Sequence, residues 1–208
     1  MNNKIIGIVL LIICIPLSVF AQEKRDARKL YFDKKYDESI EVCFEELKEN
    51  PSNSNSYIVL GWGLIQKGRY QETVDYMTQG LRYNSSNIWI IKNLAESYYY
   101  LGSYDQSLAR FEQFVKSEAS SNSKAECYYY IGEIYIAKKE FVNADTALTL
   151  ACYYINKNWF WWTRLGFARE EQKAYQAALD AYSRAIQIDP NREEPQRGRD
   201  RVRVNIAQ

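Results

Sequence analysis

Histidine is missing from all 208 residues of the chain. Its absence excludes Ser-His-Asp and Cys-His catalysis, and it removes the side chain that most often binds zinc together with cysteine. The four cysteines include no C-x-x-C pair, which leaves zinc binding and thioredoxin-like chemistry without support. The sequence therefore predicts no catalytic residue, no metal site and no cofactor, and we expect a protein that is not an enzyme.

An excess of charge of one sign is missing as well, since 27 basic residues face 26 acidic ones. Proteins that bind nucleic acid through its phosphates need a basic excess, so nucleic acid is not expected as the partner. Aromatic residues, in contrast, are abundant, with 18 tyrosines and 5 tryptophans. Such rings fill the core of a helical protein, and they also form contact surfaces.

Only the start of the chain has a long apolar run. Lys4 precedes a nearly unbroken apolar stretch, residues 5–20, and Val-Phe-Ala at residues 19–21 offers small residues at the −3 and −1 positions of a cleavage site. This order predicts a secretory signal peptide, residues 1–21, cleaved after Ala21. The alternative is an uncleaved membrane anchor, but Pro16 interrupts the run, and a spanning helix needs about 20 apolar residues. We expect export to the periplasm or the extracellular space, with no stable membrane span after cleavage.

The rest of the chain repeats one pattern of large and small residues, and its clearest unit runs from Trp159 to Asn191. The small residues Gly166, Ala178 and Ala185 allow two helices to approach closely, and Pro190 cannot continue the second helix. One such hairpin leaves an apolar face uncovered, so it needs neighbours of its own kind.

Those neighbours precede it. The large-small pairs Leu60-Gly61, Leu94-Ala95, Ile131-Gly132 and Leu165-Gly166 are separated by steps of 34, 37 and 34 residues. A period of 34 with this order of residues resembles the tetratricopeptide repeat (TPR). The last unit carries the family pattern at Trp162, Leu165, Gly166, Tyr175, Ala178, Tyr182, Ala185 and Pro190. Earlier units depart from it, because Ser39, Thr73 and Ser107 stand where the family prefers alanine.

The resemblance implies an all-α fold, a right-handed superhelical α-solenoid of about five TPR helix-turn-helix repeats over residues 22–191. The predicted helix pairs are 23–34/37–50, 54–67/70–83, 88–101/104–117, 124–138/141–154 and 158–172/175–188. The polar segment SEASSNSK, residues 117–124, carries three extra residues and is predicted as a longer loop, either a hinge or a tolerated surface insertion. Residues 192–208 are predicted to form a short capping helix that Gly198 weakens and that frays near its end.

Three cysteines remain after the signal peptide: Cys43, Cys127 and Cys152. Export makes a disulfide chemically possible, and Cys127 and Cys152 fall on the two predicted helices of one repeat. The favoured interpretation is that all three are small buried hydrophobic residues.

In the TPR family, the first helix of each hairpin lines a concave groove. Carried over by register, the resemblance implies a partner-binding groove at Ile58, Trp62, Ile65, Trp89, Lys92, Glu96, Tyr99, Tyr100, Tyr129, Glu133, Phe160 and Phe167. The same register gives further inner positions at Lys24, Arg28, Tyr31, Phe32, Asn55, Gln66, Glu126, Ile136, Thr163, Glu170 and Glu171. These rings could instead pack against one another. Val59 stands where some members use an asparagine to grip a C-terminal carboxylate, so that mode of binding is not expected.

The function that the resemblance implies is an exported, non-catalytic scaffold that binds a protein or peptide segment in its groove, as part of a bacterial envelope assembly. Two alternatives stay open at this point. The chain could be a structural subunit that forms homo-oligomers through its end caps or convex face, or it could bind a small apolar ligand in the groove.

Overall fold

The structure, a computed structural model, describes residues 25–207, so the predicted signal peptide lies outside the described residues. The described part is helical, with no strand among its elements. Its helices are α1 (Ala27–Phe32), α2 (Tyr36–Glu49), α3 (Ser54–Gln66), α4 (Tyr70–Tyr83), α5 (Ile88–Tyr100), α6 (Tyr104–Val115), α7 (Ser121–Ala137), α8 (Phe141–Tyr154), α9 (Trp159–Glu171), α10 (Tyr175–Ile188) and α11 (Glu193–Ile206). Helices α1 to α10 form five successive hairpins, and α11 packs on α10 and α9. The predicted all-α solenoid is therefore confirmed.

The first helix of each hairpin, which we call the A helix, begins at a polar residue. Asp26, Asn53, Asn87, Ser120 and Asn158 precede α1, α3, α5, α7 and α9, and each side chain accepts a hydrogen bond from a backbone amide of the first turn. Such caps satisfy amides that have no partner inside the helix. These polar residues thus set the first residue of every A helix, and the A helices form the inner face of the solenoid.

The turn between the two helices of each hairpin contains one residue with left-handed backbone geometry. These residues are Lys34, Gly68, Gly102, Lys139 and Lys173, with φ between 62° and 74°. Glycine adopts this geometry freely, whereas a side chain there is strained. The turn leads directly into the second helix of the hairpin, the B helix.

Small residues allow the helices to approach closely, as the sequence predicts. A Cβ added to Gly132 of α7 would lie 2.5 Å from Cγ of Leu148 on α8. A Cβ added to Gly166 of α9 would lie 2.7 Å from Cδ1 of Tyr182 on α10. Both distances are too short for real carbon atoms, so these crossings require glycine.

Several predicted boundaries differ from the structure. Helix α1 runs from Ala27, after its cap Asp26, to Phe32 and not over 23–34, and α6 ends at Val115 and not at 117. Helix α7 begins at Ser121, not at residue 124, because Ser120 caps it and residues 121–124 form an additional helical turn. The extra residues of this repeat therefore lengthen a helix as well as the loop before it. Helix α11 continues to Ile206 without early fraying, since Pro195, Gly198 and Val202 are buried against the preceding hairpin. Within residues 25–207, no helix has both the length and the apolar character that a membrane span needs.

The three described cysteines are free thiols, and all three are buried. No bridge joins Cys127 to Cys152 in this structure. Burial raises the pKa of Cys43 and of Cys152 to about 12 and also raises that of Cys127. They behave as small core residues, as the sequence analysis favours.

Candidate binding groove

The A helices together line a groove of about 460 Å³ on the concave side of the solenoid. Every A helix contributes to it, from α1 to α9. The lining residues are Tyr31, Phe32, Trp62, Ile65, Gln66, Lys92, Glu96, Glu126, Tyr129, Tyr130 and Trp161. We call this set the groove. Its volume falls within the range typical of ligand sites.

Five of the twelve residues predicted for partner binding line the groove. They are Trp62 and Ile65 on α3, Lys92 and Glu96 on α5, and Tyr129 on α7. Of the eleven further inner positions, four line it too: Tyr31, Phe32, Gln66 and Glu126. The register of the repeat thus places these side chains together, although whether they bind a partner stays a prediction.

Aromatic rings of α1 and α3 form the N-terminal wall of the groove. The ring centroid of Trp62 lies 5.4 Å from that of Tyr31 and 6.3 Å from that of Phe32. The guanidinium of Arg28 lies 5.7 Å from the Trp62 centroid, a cation–π distance. Phe32 is 68% exposed, so its ring contributes little to the core and faces solvent. A ring left exposed in this way is what a contact surface uses.

The opposite wall is formed by α7 and α9. Tyr129 stacks on Trp161 with their centroids 5.4 Å apart, and Phe160 lies 6.1 Å from Tyr129. Sequence reasoning missed Trp161, because its equivalents in earlier repeats, Ile90 and Cys127, are core residues. An indole at the same position is long enough to fill the core site and still reach the groove. The unusual W-F-W-W run at residues 159–162 is the signal that could have found it.

Tyr130, also missed, connects the groove to a cluster of tyrosines beside it. Its ring lies 5.0 Å from that of Tyr99, and its hydroxyl lies 3.2 Å from the hydroxyl of Tyr100. Burial, with Glu133 nearby, raises the pKa of Tyr99 to about 12. The predicted residues Tyr99 and Tyr100 therefore pack next to the groove and do not line it.

Charged groups in and beside the groove are paired. The ammonium of Lys92 contacts the carboxylate of Glu96 and lies 3.2 Å from that of Glu126. Burial alone would lower the pKa of Lys92, but the two carboxylates outweigh it and raise that pKa. On the next A helices, Arg164 donates a hydrogen bond of 2.7 Å to Glu133. Burial raises the pKa of Glu133, and Arg164 opposes that rise.

Glu133 and Phe160 adjoin the groove without lining it, and three further predicted groove residues lie elsewhere, which corrects the prediction. Ile58 is buried in the core among residues of α4 and α5, because its branched apolar side chain gains more from burial than from solvent. Trp89 lies at the start of α5, with its ring edge-on to Phe114 at 5.5 Å. Phe167 faces Phe141 at 6.2 Å and lines a separate pocket of about 380 Å³ beside α11.

Comparison with known proteins supports the same fold. Models of the tetratricopeptide repeat match residues 92–152 and 159–192. The chain is 24% identical over 154 residues to the BBSome complex member BBS4 of Bos taurus, an alignment that covers 74% of this chain and 29% of the relative. The chain thus spans less than a third of that relative's length.

Solved structures of similar shape include a double mutant of MamA, with a TM-score of 0.71 and 15% identity over 79% of this chain and 90% of that one. YrrB, described as a TPR protein with an unusual peptide-binding site, has a TM-score of 0.69 and 16% identity, over 84% of this chain and 88% of that one. The Cut9–Hcn1 hetero-tetramer of the APC/C has a TM-score of 0.74 and 14% identity, over 85% of this chain and 35% of that one. These likenesses concern the fold. Residues 92–152 and 159–192 therefore carry tetratricopeptide repeats, and the described residues share the α-solenoid fold of these TPR structures.

Proposed function

We propose that this chain is an exported, non-catalytic scaffold that holds a segment of a partner protein in the groove, as part of a bacterial envelope assembly. TPR proteins are generally scaffolds for protein interaction, and the similar structure of YrrB is described as having a peptide-binding site. What is proposed for this chain is the site, the type of ligand and the location.

The observation that carries the proposal is the set of aromatic rings which remain accessible after the core is filled. Phe32 is mostly exposed, and Trp62, Tyr129 and Tyr130 are only partly buried where they line the groove. Exposing such rings to water is unfavourable, and rigid aromatic side chains give large contact areas at little cost in conformational entropy. Aromatic anchors in a concave surface are a common feature of protein interfaces.

Export rests on the sequence of residues 1–21, with its early lysine, its apolar run and its small residues before Gln22. We expect the N-terminus of the protein recovered from a bacterial host to begin at Gln22. N-terminal sequencing of the protein from cell fractions tests this directly. Protein that keeps Met1 and remains with the membrane fraction would instead favour the uncleaved anchor.

Comparative affinity capture tests binding in the groove. The protein is compared with a double variant, Phe32→Ala with Trp62→Ala, and with the control Tyr153→Ala on α8. Tyr153 is 77% exposed and lies on a B helix, so the control removes a ring of similar exposure outside the groove. We expect proteins held by the wild type to be lost from the double variant and retained by the control.

Circular dichroism must show that the double variant is still folded, because Trp62 also packs against the core. If it is not, Phe32→Ala alone serves, since its exposed ring supports little of the structure. Equal capture by all variants would contradict groove binding. A small apolar molecule released on denaturation, without any captured protein, would favour the small-ligand alternative.

One further observation favours self-association as a second candidate function. Val204 and Ile206 on α11 are 58% and 48% exposed, which leaves apolar side chains at the C-terminal end of the solenoid. Light scattering of the purified protein tests it. A mass well above that of the monomer, reduced by Val204→Glu, would support this candidate, and a monomer at high concentration would contradict it.

A further inference from the structure

The charges that line the groove do not balance. Lys92 is the one cation among the lining residues, whereas Glu96 and Glu126 contribute two carboxylates. Both carboxylates contact the same ammonium. The lining residues therefore carry a surplus of one negative charge, while Arg28, which lies over Trp62 on the N-terminal wall, is a cation beside them.

Burial distinguishes the two carboxylates. The Glu96 side chain is only 13% exposed and contacts the ammonium of Lys92 from one turn along the same helix. Glu126 approaches from α7, at 3.2 Å, and is 54% exposed. A buried charge needs its partner far more than an exposed one does, so Lys92 mainly neutralises Glu96. Glu126 is thus the carboxylate available to a ligand.

A ligand that pairs with this carboxylate is a cation, and the aromatic walls favour a cation as well. The face of an aromatic ring carries a negative potential that attracts cations, most strongly for tryptophan. This molecule already shows such attraction, because the guanidinium of Arg28 lies 5.7 Å from the centroid of Trp62. A cationic side chain that enters the groove would meet aromatic ring faces and the carboxylate of Glu126, whereas an acidic side chain would be repelled by Glu126.

We propose that the partner segment bound in the groove presents an arginine or lysine side chain, which pairs with Glu126 among the aromatic rings. This inference rests on the proposed function, because it names the chemistry of the segment which that function requires. The apolar stem of the same side chain would pack on the rings while its charged end reaches the carboxylate.

Selection from a display library of short random peptides tests the inference. The immobilised protein is the target, and binders that the Phe32→Ala, Trp62→Ala variant also retains are removed. We expect the remaining peptides to share a basic residue. In a synthetic copy of one such peptide, replacing arginine with the neutral isostere citrulline is expected to weaken binding about fivefold to tenfold.

The Glu126→Gln variant completes the comparison. It should weaken binding of the arginine peptide, by a smaller factor than citrulline does because the attraction between the cation and the rings remains. It should leave the affinity of the citrulline peptide unchanged, since the charge pair is already absent there. Glu49→Gln is the matched control, because Glu49 is an exposed carboxylate on α2, which does not line the groove. That control should bind both peptides as the wild type does.

The outcomes separate the two proposals. Peptides that require Phe32 but bind equally well with citrulline would contradict the proposed basic side chain and leave groove binding intact. Selected peptides with acidic residues in place of basic ones would do the same. Peptides that bind equally well to the double variant, or no selected peptides at all, would count against groove binding and therefore against both.

Discussion

The hydroxyl of Ser107 on α6 donates a hydrogen bond of 2.8 Å to the carbonyl oxygen of Ala95 on α5. The first hairpin repeats this arrangement, since the hydroxyl of Ser39 donates to the carbonyl oxygen of Ala27 at 2.7 Å. Both serines are completely buried and stand where the family prefers alanine. The departure is tolerated because each hydroxyl finds an acceptor on the facing A helix, so no polar group is buried without a partner.

Ser107→Ala is therefore expected to be mild. It removes one hydrogen bond worth about 1 kcal/mol, and the higher helix propensity of alanine returns roughly half of that. We expect the free energy of unfolding, measured by urea denaturation, to fall by less than about 1 kcal/mol. Ser107→Val is the contrasting variant, since a larger side chain in this filled site should cost about 1–3 kcal/mol. Equal losses for both would contradict the role assigned to the small side chain.

The turn inside each hairpin gives a second prediction. A Cβ on Gly68 would meet no atom within 4 Å, so Gly68→Ala adds only the strain of its φ of 71°. We expect this variant to lower the free energy of unfolding by about 1 kcal/mol. Lys139 has the same left-handed geometry with a side chain present, so Lys139→Gly should change stability in the opposite direction or leave it unaltered. Thermal unfolding of both variants checks this, and a stabilised Gly68→Ala would contradict it.

The sequence predicts the repeats well because the residues that define them act locally. Polar caps, left-handed turns and small crossing residues recur with the period, so most predicted helix ends agree with the structure to within a few residues. The start of α7 is missed because Ser120 can cap a helix whose first turn is polar, and polarity alone resembles a loop.

The groove is predicted less completely. The register of the repeat gives the position of a residue on its helix, but not whether its side chain packs into the core or lines the groove. Ile58 and Lys92 are separated by one period of 34 residues and occupy equivalent places on α3 and α5. The isoleucine enters the core, whereas the ammonium of Lys92 reaches the groove and pairs with carboxylates there. Trp161 shows the opposite case, in which a core position carries a ring large enough to reach the groove.

The contact between α11 and the last hairpin gives a third prediction. A Cβ added to Gly198 would lie 2.4 Å from Cζ of Tyr182, so glycine at this position allows the close approach even though it lowers helix propensity. The Tyr182 hydroxyl donates to Glu170 at 2.7 Å, and Arg201 of α11 donates twice to the same carboxylate at 2.9 Å. Gly198→Ala should push the helix away and disturb these bonds.

We expect Gly198→Ala to lower the free energy of unfolding by about 1–3 kcal/mol, and hydrogen exchange to increase first in α11. Arg197→Ala is the control, because Arg197 is the exposed neighbour of this residue on the same helix. A Gly198→Ala variant as stable as the control would show that α11 can shift without loss.

Alkaline pH should destabilise the protein through its buried tyrosines. An unfolded tyrosine loses its proton near pH 10, whereas the pKa of Tyr99 in the folded chain is raised to about 12, chiefly by burial. Between these values the folded state holds a proton that the unfolded state has released, so the free energy of unfolding falls as pH rises through that window. Burial raises the pKa of Tyr129 and Tyr130 in the same direction.

Tyr99→Phe should therefore make the decline of stability above pH 10 less steep, by about 1 kcal/mol per pH unit after allowance for the solvent that reaches the half-buried ring. The measurement is urea denaturation at a series of pH values from 8 to about 11.5, with phenolate absorbance recorded in parallel. Tyr153→Phe, at an exposed ring on α8, is the matched control and should keep the wild-type slope. If Tyr99→Phe also kept that slope, the Tyr99 phenol would have to titrate alike in the folded and unfolded chains, and the tight packing of Tyr99 against Tyr130 beside the groove would be wrong.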